Sequence, residues 1–313
     1  MKEHSIGIDI GGTKIAAAVI SEEGSILHRR VCPTPTAGQE FVIEKLKELI
    51  DDLLFWCQQA SISVKGIGVG TAGQIDFATG RVLTGTTNIK DWNDIPLRSV
   101  LTKHSLLPVW VDNDVNVLTI AEQKFGSAVG EKNVICLSLG TGVGGGLIVD
   151  GQLVRGMFGA AAELGHISVN MNGPQCNCGF KGCLETYASG TAIARMMNER
   201  LNKTDEVQAD SALTSRQVFD LYHQQHSTAI EVVNEMTEAL AFAIVSLIHT
   251  FNPSVVVLGG GVMDSGTWIA ELVNGKVKKL GISSMVQPVR ITRTKTGVDA
   301  SVIGAAYQCW LYQ

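Results

Sequence analysis

The chain has 313 residues, 45% hydrophobic and 18% charged, a globular composition long enough for two domains. Its 25 Lys and Arg against 30 Asp and Glu leave a net charge of -5, which argues against the basic face a nucleic-acid partner requires. No apolar run is expected to reach the length of a membrane span, and "MKEHSIGIDIGG" lacks a signal peptide's apolar core, so the expected location is cytoplasmic, with no membrane partner.

From the N-terminus, "SIGIDIGGTKIAAAVISEEGSILHRR" reads as two apolar strands joined by a turn at Gly11-Gly12, with a third strand after "SEEGS". From Gln39 to Ser61 the apolar residues Val42, Leu46, Leu49, Ile50, Leu53, Leu54 and Cys57 recur at helical spacing. "VKGIGVGTAG" is a buried strand. "LPVWVDNDVN" is another, its polar end leading into a helix from about Val115 to Phe125. The second half repeats this plan. "NVICLSLGTGVGGGLIVDGQLVRG" is strand, glycine turn, strand; a helix spans about Ser227 to Phe251; "PSVVVLGGGVMD" is strand, glycine turn and the start of a helix. The stretch from Gly190 to Ser215 begins helical, turns polar and is expected at the periphery. Two α/β lobes of similar plan across a cleft explain the echo, joined by a tight hinge because no low-complexity linker intervenes.

Each glycine turn ends an apolar strand. In "GIDIGGTK", Gly11 and Gly12 leave backbone N–H groups able to face an anion, Thr13 adds a hydroxyl, and Asp9 could hold a hydrated divalent cation; the alternative is a plain hairpin with Lys14 exposed. In "LGTGVGGG", Gly140, Gly142 and Gly145 match G-x-G-x-x-G formally. That motif needs a helix directly after it, and here "GLIVDGQLV" continues as strand, so a dinucleotide site is excluded on context. What remains is a turn with open amides and the Thr141 hydroxyl. "VLGGGVMD", at Gly259 to Gly261, suits close packing of a flat ligand against backbone, or simply tight helix–strand packing.

Between these turns, "VDNDVN" places Asn113 and Asp114 just past a strand, where α/β sheets present reactive groups, although Asp114 could instead cap the next helix. "ELGH" supplies Glu163 and His166. Cys176, Cys178 and Cys183 follow as C-x-C-x4-C in "CNCGFKGCLE", three of only seven cysteines in the chain. A reducing compartment and an odd count disfavour disulfides. With His166 they make a closed three-sulfur, one-nitrogen set, expected to bind a structural Zn2+, with Gly179 and Gly182 supplying the tight turns. Such a cluster would fix Glu163 and Glu185 on either side of it.

"DIGGTK", "NDVN", "LGTGVGGG", "ELGH", "CNCGFKGCLE" and "LGGGV" occur in the order found in the ROK family of sugar kinases and repressors, which this sequence resembles over nearly its whole length. The resemblance implies an α/β, two-lobed actin/hexokinase-like (ribonuclease H-like) fold. The first lobe would span 1–118 with a C-terminal helix near 301–313 packing back on it, and a larger lobe, 119–300, would carry the zinc site. It implies a cytosolic ATP-dependent hexokinase that phosphorylates the sugar 6-hydroxyl with ATP and Mg2+, assembled as a homodimer. Asp9, Gly11, Gly12, Thr13 and Lys14 would form the first phosphate segment, Gly140, Thr141 and Gly142 the second, and Gly260 and Gly261 would lie by the adenosine. Asp114 would be the catalytic base, and Gly73, Asn88, Asn113, Asp114, Glu163, His166 and Glu185 would bind the sugar. "ELGH" with the cysteine cluster resembles glucokinases most; N-acetylmannosamine and N-acetylglucosamine kinases share it, and allose or fructose kinases stay open. Two positions depart from the family pattern: Ala72, where many members carry proline, and the less acidic, less glycine-rich "GVDASVIGAA". Repressor members carry a helix-turn-helix before the first phosphate segment; with Asp9 at the ninth residue, none is expected here, which favours an enzyme over a non-catalytic sugar-sensing regulator.

Overall fold

The computed structural model describes residues 3–85, 89–204 and 212–312, in two compact units. One comprises Met1–Gly130, Leu153–Ala161 and Lys295–Gln313; the other comprises Glu131–Gln152 and Ala162–Thr294.

In the first unit, β1 (His4–Ile10), β2 (Lys14–Ser21) and β3 (Ile26–Pro33) form an antiparallel meander. After α1 (Gln39–Gln59), β4 (Val64–Thr71) pairs parallel to β1. A small hairpin, β5 (Gln74–Asp76) and β6 (Arg81–Thr84), and α2 (Leu97–Ser105) precede β7 (Val109–Asn113), which pairs parallel to β4 and runs directly into α3 (Asp114–Phe125). The sheet order is β3-β2-β1-β4-β7. Alternation sorts the residues by face: Ile6, Ile8, Ile10, Ile15, Ala17 and Val19 join the core with Val42, Leu46, Ile50 and Leu53 of α1, while Ala16, Ala18 and Ile20 face the other way.

The second unit repeats that order. β8 (Val134–Leu139) and β9 (Val143–Val149) are antiparallel, with β10 (Gln152–Leu153) at the edge. Next come α4 (Glu185–Ala188), α5 (Gly190–Thr204), α6 (Ser215–His223) and α7 (Ser227–Phe251). β11 (Val255–Gly259) then pairs parallel to β8; after α8 (Trp268–Val277) and α9 (Ser283–Val286), β12 (Arg290–Arg293) pairs parallel to β11. The order β10-β9-β8-β11-β12 matches that of the first sheet. By length and composition α7 could cross a membrane, contrary to the expectation that no run approached that length. Most of its apolar window is buried, and it packs against α4, α5, α6 and α8. After β11 the chain makes a single 3-10 stretch, Gly261–Ser265, before α8, so the third glycine turn does not open an α-helix directly.

The last helix, α10 (Ala300–Leu311), belongs to the first unit and covers the second face of its sheet, packing on α3, β1 and β4. The approach is too close for side chains. A Cβ at Gly68 would stand 1.7 Å from the Ala305 carbonyl oxygen, one at Gly7 2.0 Å from that of Val302, and one at Gly304 1.8 Å from that of Val117 on α3. The fully buried Glu122 of α3 anchors the returning chain: its carboxylate accepts backbone N–H bonds from Lys295 (3.0 Å) and Thr296 (2.9 Å), and from Ser127 (2.7 Å). α3 therefore stays whole in the first unit, which runs to Gly130 where a boundary near 118 was expected, and the chain crosses back for 153–161.

Gly68→Ala places a methyl group against helix backbone and not against a movable side chain. It is expected to destabilise the protein by about 1–3 kcal/mol or more, read as a lower unfolding midpoint in chemical denaturation. An unchanged midpoint would mean that α10 is not held at this distance.

Candidate active site

In the first unit the chemistry gathers at the carboxyl ends of three neighbouring strands, where open α/β sheets place their ligands. In register, Asp9 of β1 lies level with Gly70 of β4, and Gly70 with Asp112 of β7. Asp9 is raised to about 7, first by burial and then by the nearby Asp114; Lys14 opposes the shift. Ionising Asp9 thus costs stability as pH rises from its ordinary 3.8 towards 7. A divalent cation would offset that cost, so the site fits Mg2+.

Asp114 is the first residue of α3, and the cap is Asn113, not Asp114. The Asn113 Oδ1 accepts from the backbone N–H groups of Val115 (2.8 Å) and Asn116 (3.3 Å), while its Nδ2 donates to the Gly73 carbonyl (3.0 Å). Gly73 has φ of +113°, and a Cβ there would meet the Thr84 carbonyl oxygen at 2.2 Å, so only glycine fits. Asn88 lies outside the described residues.

The first glycine turn is closed on itself. Gly11 N–H donates to the Lys14 carbonyl (3.0 Å), and Thr34 braces the turn through its Oγ1 to the Gly11 carbonyl (2.6 Å) and its N–H to that of Thr13 (3.0 Å). Thr13 and Lys14 are exposed. The Gly11 amide, expected to be open to an anion, is therefore engaged.

In the second unit the turn at Gly140–Gly142 is held from below. Gly140 N–H donates to the Gly142 carbonyl (2.9 Å), Gly190 N–H to that of Gly140 (2.8 Å), and Thr191 Oγ1 to that of Thr141 (2.7 Å). Val143 N–H donates to the Glu185 carboxylate (2.9 Å), whose oxygen would stand 2.4 Å from a Cβ on Gly142. These amides too are less open than the sequence suggested. At the third turn Gly260 has φ of +84°, and a Cβ on Gly261 would meet nothing. Gly261 lines a cavity of about 410 Å³ with Ser215, Arg216, Asp220, His223 and Asp264.

Glu163 precedes the single turn Leu164–His166. It is exposed as a residue, and the partial desolvation its carboxyl still feels raises its pKa, with His166 opposing and Glu185 adding. His166 Nδ1 lies 3.6 Å from Cys176 Sγ, and Cys178 Sγ lies 3.6 Å from Cys183 Sγ. All four ligand atoms fall within 4.8 Å of one another. A tetrahedral zinc with bonds of ~2.3 Å to sulfur separates its ligands by about 3.8 Å, so the set fits. Burial, then hydrogen bonds to Cys176 and Cys178, push Cys183 up to about 12, so this thiol needs a metal to ionise at neutral pH. Gly179 (φ +89°) and Gly182 (φ +65°) turn the loop.

Two antiparallel-then-parallel sheets of identical order, each with a glycine-turned hairpin, define an α/β protein of the actin/hexokinase-like fold. The ROK family profile matches residues 5–310, and the chain belongs to that family. It is 33% identical over 308 residues to a glucokinase of Thermotoga maritima (96% of this chain, 95% of that one). It is 32% identical over 311 residues to an N-acetyl-D-glucosamine kinase of Haemophilus influenzae (96% and 97%). A ROK family glucokinase from Streptomyces griseus, solved in complex with glucose and AMPPNP, superimposes with a TM-score of 0.78 at 34% identity, covering 97% of this chain and 98% of that one.

Proposed function

We propose that this protein is an ATP-dependent sugar kinase that phosphorylates the 6-hydroxyl of a hexose, with glucose as its substrate. The observation that carries this reading is the Asp9–Asp114 pair at the carboxyl end of the first sheet of a ROK chain. One carboxylate is held near neutral pKa by burial, and the other sits at a helix start that it does not cap.

Asp114 acts as the general base. The sugar hydroxyl is a weak nucleophile at neutral pH, and a carboxylate within hydrogen-bond reach removes its proton as the bond to phosphorus forms. Asn113 and Gly73 orient the sugar beside that base. Glu163, Glu185 and His166 accept from or donate to its other hydroxyls, each bond to a carboxylate contributing about 1.5–3 kcal/mol. Asp9 would hold Mg2+, which supplies positive charge beside the transferring phosphoryl group when bound. The backbone N–H groups of Gly12, Thr13, Thr141 and Gly142 and the hydroxyls of Thr13 and Thr141 receive the phosphates, with Lys14; Gly140 shapes the second turn, its own N–H being bonded to the Gly142 carbonyl. The cavity beside Gly260 and Gly261 takes the adenosine. His166, Cys176, Cys178 and Cys183 hold a structural zinc, stiffening the segment between Glu163 and Glu185. The family resemblance supports a cytosolic homodimer. The 32% identity to an N-acetyl-D-glucosamine kinase supports an N-acetylhexosamine as the second reading.

Asp114→Asn is expected to lower kcat by at least about a hundredfold while sugar and ATP still bind. The fold should survive, because Asn113 supplies the cap. Turnover within a few-fold of wild type would place the base elsewhere. Elemental analysis of protein prepared without chelator should find about one zinc per chain. Cys178→Ser should lose the metal, melt earlier and raise the sugar KM; native protein that is fully active and zinc-free would remove the metal from this account.

A further inference from the structure

We propose that Arg155 is a positioning residue for the reaction at Asp114, acting through the buried carboxylate of Asp112. The inference rests on the reading of Asp114 as the base.

Asp112 is 1% exposed and lies two residues before Asp114. Its two oxygens serve different neighbours. Oδ1 accepts from the backbone N–H of Asn113 (2.8 Å) and from Nδ2 of Asn116 (2.8 Å), while Oδ2 accepts from Nε (2.9 Å) and Nη2 (2.7 Å) of Arg155. Asn113 and Asn116 bracket Asp114, so the Oδ1 bonds set the turn from which Asp114 emerges. Arg155 is tightly boxed in its turn. Its guanidinium carbon lies 3.6 Å from the Phe77 ring centroid and 4.7 Å from that of Tyr312, and Nη2 donates to the Tyr312 hydroxyl (2.8 Å). The residue comes from Leu153–Ala161, one of two later stretches of the chain that belong to the first unit.

The charge balance explains why a guanidinium is needed here. Asp9, Asp112 and Asp114 bring three carboxylates to neighbouring strand ends, and Asp112 is the most enclosed of them. A buried carboxylate left without its counter-charge is strongly disfavoured, and the side chain relieves this by moving. A displaced Asp112 carboxylate would release Asn113 and Asn116. That change shifts Asp114 relative to the hydroxyl it must reach, and misplacement by about 1 Å can cost about a hundredfold in rate. The Asp112–Arg155 pair holds the carboxylate in place and keeps both Oδ1 bonds intact.

The test is steady-state kinetics of ATP-dependent glucose phosphorylation on Arg155→Met and on the double variant Asp112→Asn/Arg155→Met, with Asp114→Asn alongside. Arg155→Met is expected to lower kcat by about ten- to a hundredfold with both KM values within about threefold of wild type. The double variant should fold and recover most of kcat, because an amide oxygen at position 112 accepts the same two bonds without a counter-ion. A merely structural pair would lower the melting temperature of Arg155→Met and leave kcat per folded molecule unchanged. That result, with Asp114→Asn inactive, would overturn the proposal. A double variant as slow as Arg155→Met alone would also overturn it, by placing the guanidinium on the reactants. Full turnover by Asp114→Asn would instead remove the base assignment beneath it. Should Arg155→Met not fold, Arg155→Lys, which keeps the charge but not the two-pronged bond to Asp112, takes its place: a kcat lowered with both KM values retained supports the proposal, and a wild-type kcat overturns it.

Discussion

The contact on which the first unit depends is the one between its last helix and the backbone beneath it. α10 lies so close to β1, β4 and α3 that Gly7, Gly68 and Gly304 leave no room for a Cβ, and Ser5 Oγ donates to the Ala306 carbonyl across the same seam (3.0 Å). Close packing of this kind has few alternative arrangements, because backbone meets backbone. It fixes α3 against the sheet, and α3 begins at Asp114. The buried carboxylate of Glu122 ties the chain's return at Lys295 and Thr296 to the same helix. The position of the candidate base is thus set by residues from the end of the chain.

On that frame the three carboxylates are differentiated by their surroundings. Asp112 is enclosed and paired with Arg155. Asp9 is desolvated beside Asp114, with Lys14 acting against the shift, a setting suited to a cation that arrives with the nucleotide. Asp114 is half-buried at the helix start, beside an asparagine that already satisfies the helix's first N–H groups. Three identical side chains at one sheet end therefore differ in neighbours and burial, the condition under which one acid type can take on separate tasks. In the second unit the logic is mechanical. The cysteine loop leads through Cys183 to Glu185, and Glu185 bonds Val143 beside the glycine turn, so the candidate metal cluster, a candidate sugar ligand and the second turn form one connected piece.

Local features were legible in the sequence. The helix at Gln39–Gln59 and that at Ser227–Phe251 follow from apolar spacing, and the hairpins at Gly11-Gly12 and Gly140–Gly142 from glycine after an apolar strand. The clustering of His166, Cys176, Cys178 and Cys183 follows from their spacing within 18 residues. The repeated strand order of the two sheets was visible as an echo between the halves. What escaped depends on distant partners. Asp112 stood in plain view in "VDNDVN", but its partner Arg155 is 43 positions away in a stretch with no motif. The choice between Asp114 and Asn113 as helix cap turns on side-chain direction, which spacing alone does not fix. Nor does a glycine-rich turn reveal which of its amides are already taken; Gly11, Gly140 and Val143 are bonded within their own units. The buried helix α7 shows the same limit, since length and composition do not say what covers an apolar face.

The most direct test of the account is ADP release from ATP and Mg2+ over a panel of hexoses and N-acetylhexosamines that includes 6-deoxyglucose. The account predicts glucose-dependent release with the sugar 6-phosphate as product, and none from the 6-deoxy sugar, which lacks the hydroxyl that Asp114 would deprotonate. Release that no sugar on the panel stimulates, or turnover of 6-deoxyglucose at the rate of glucose, would contradict it.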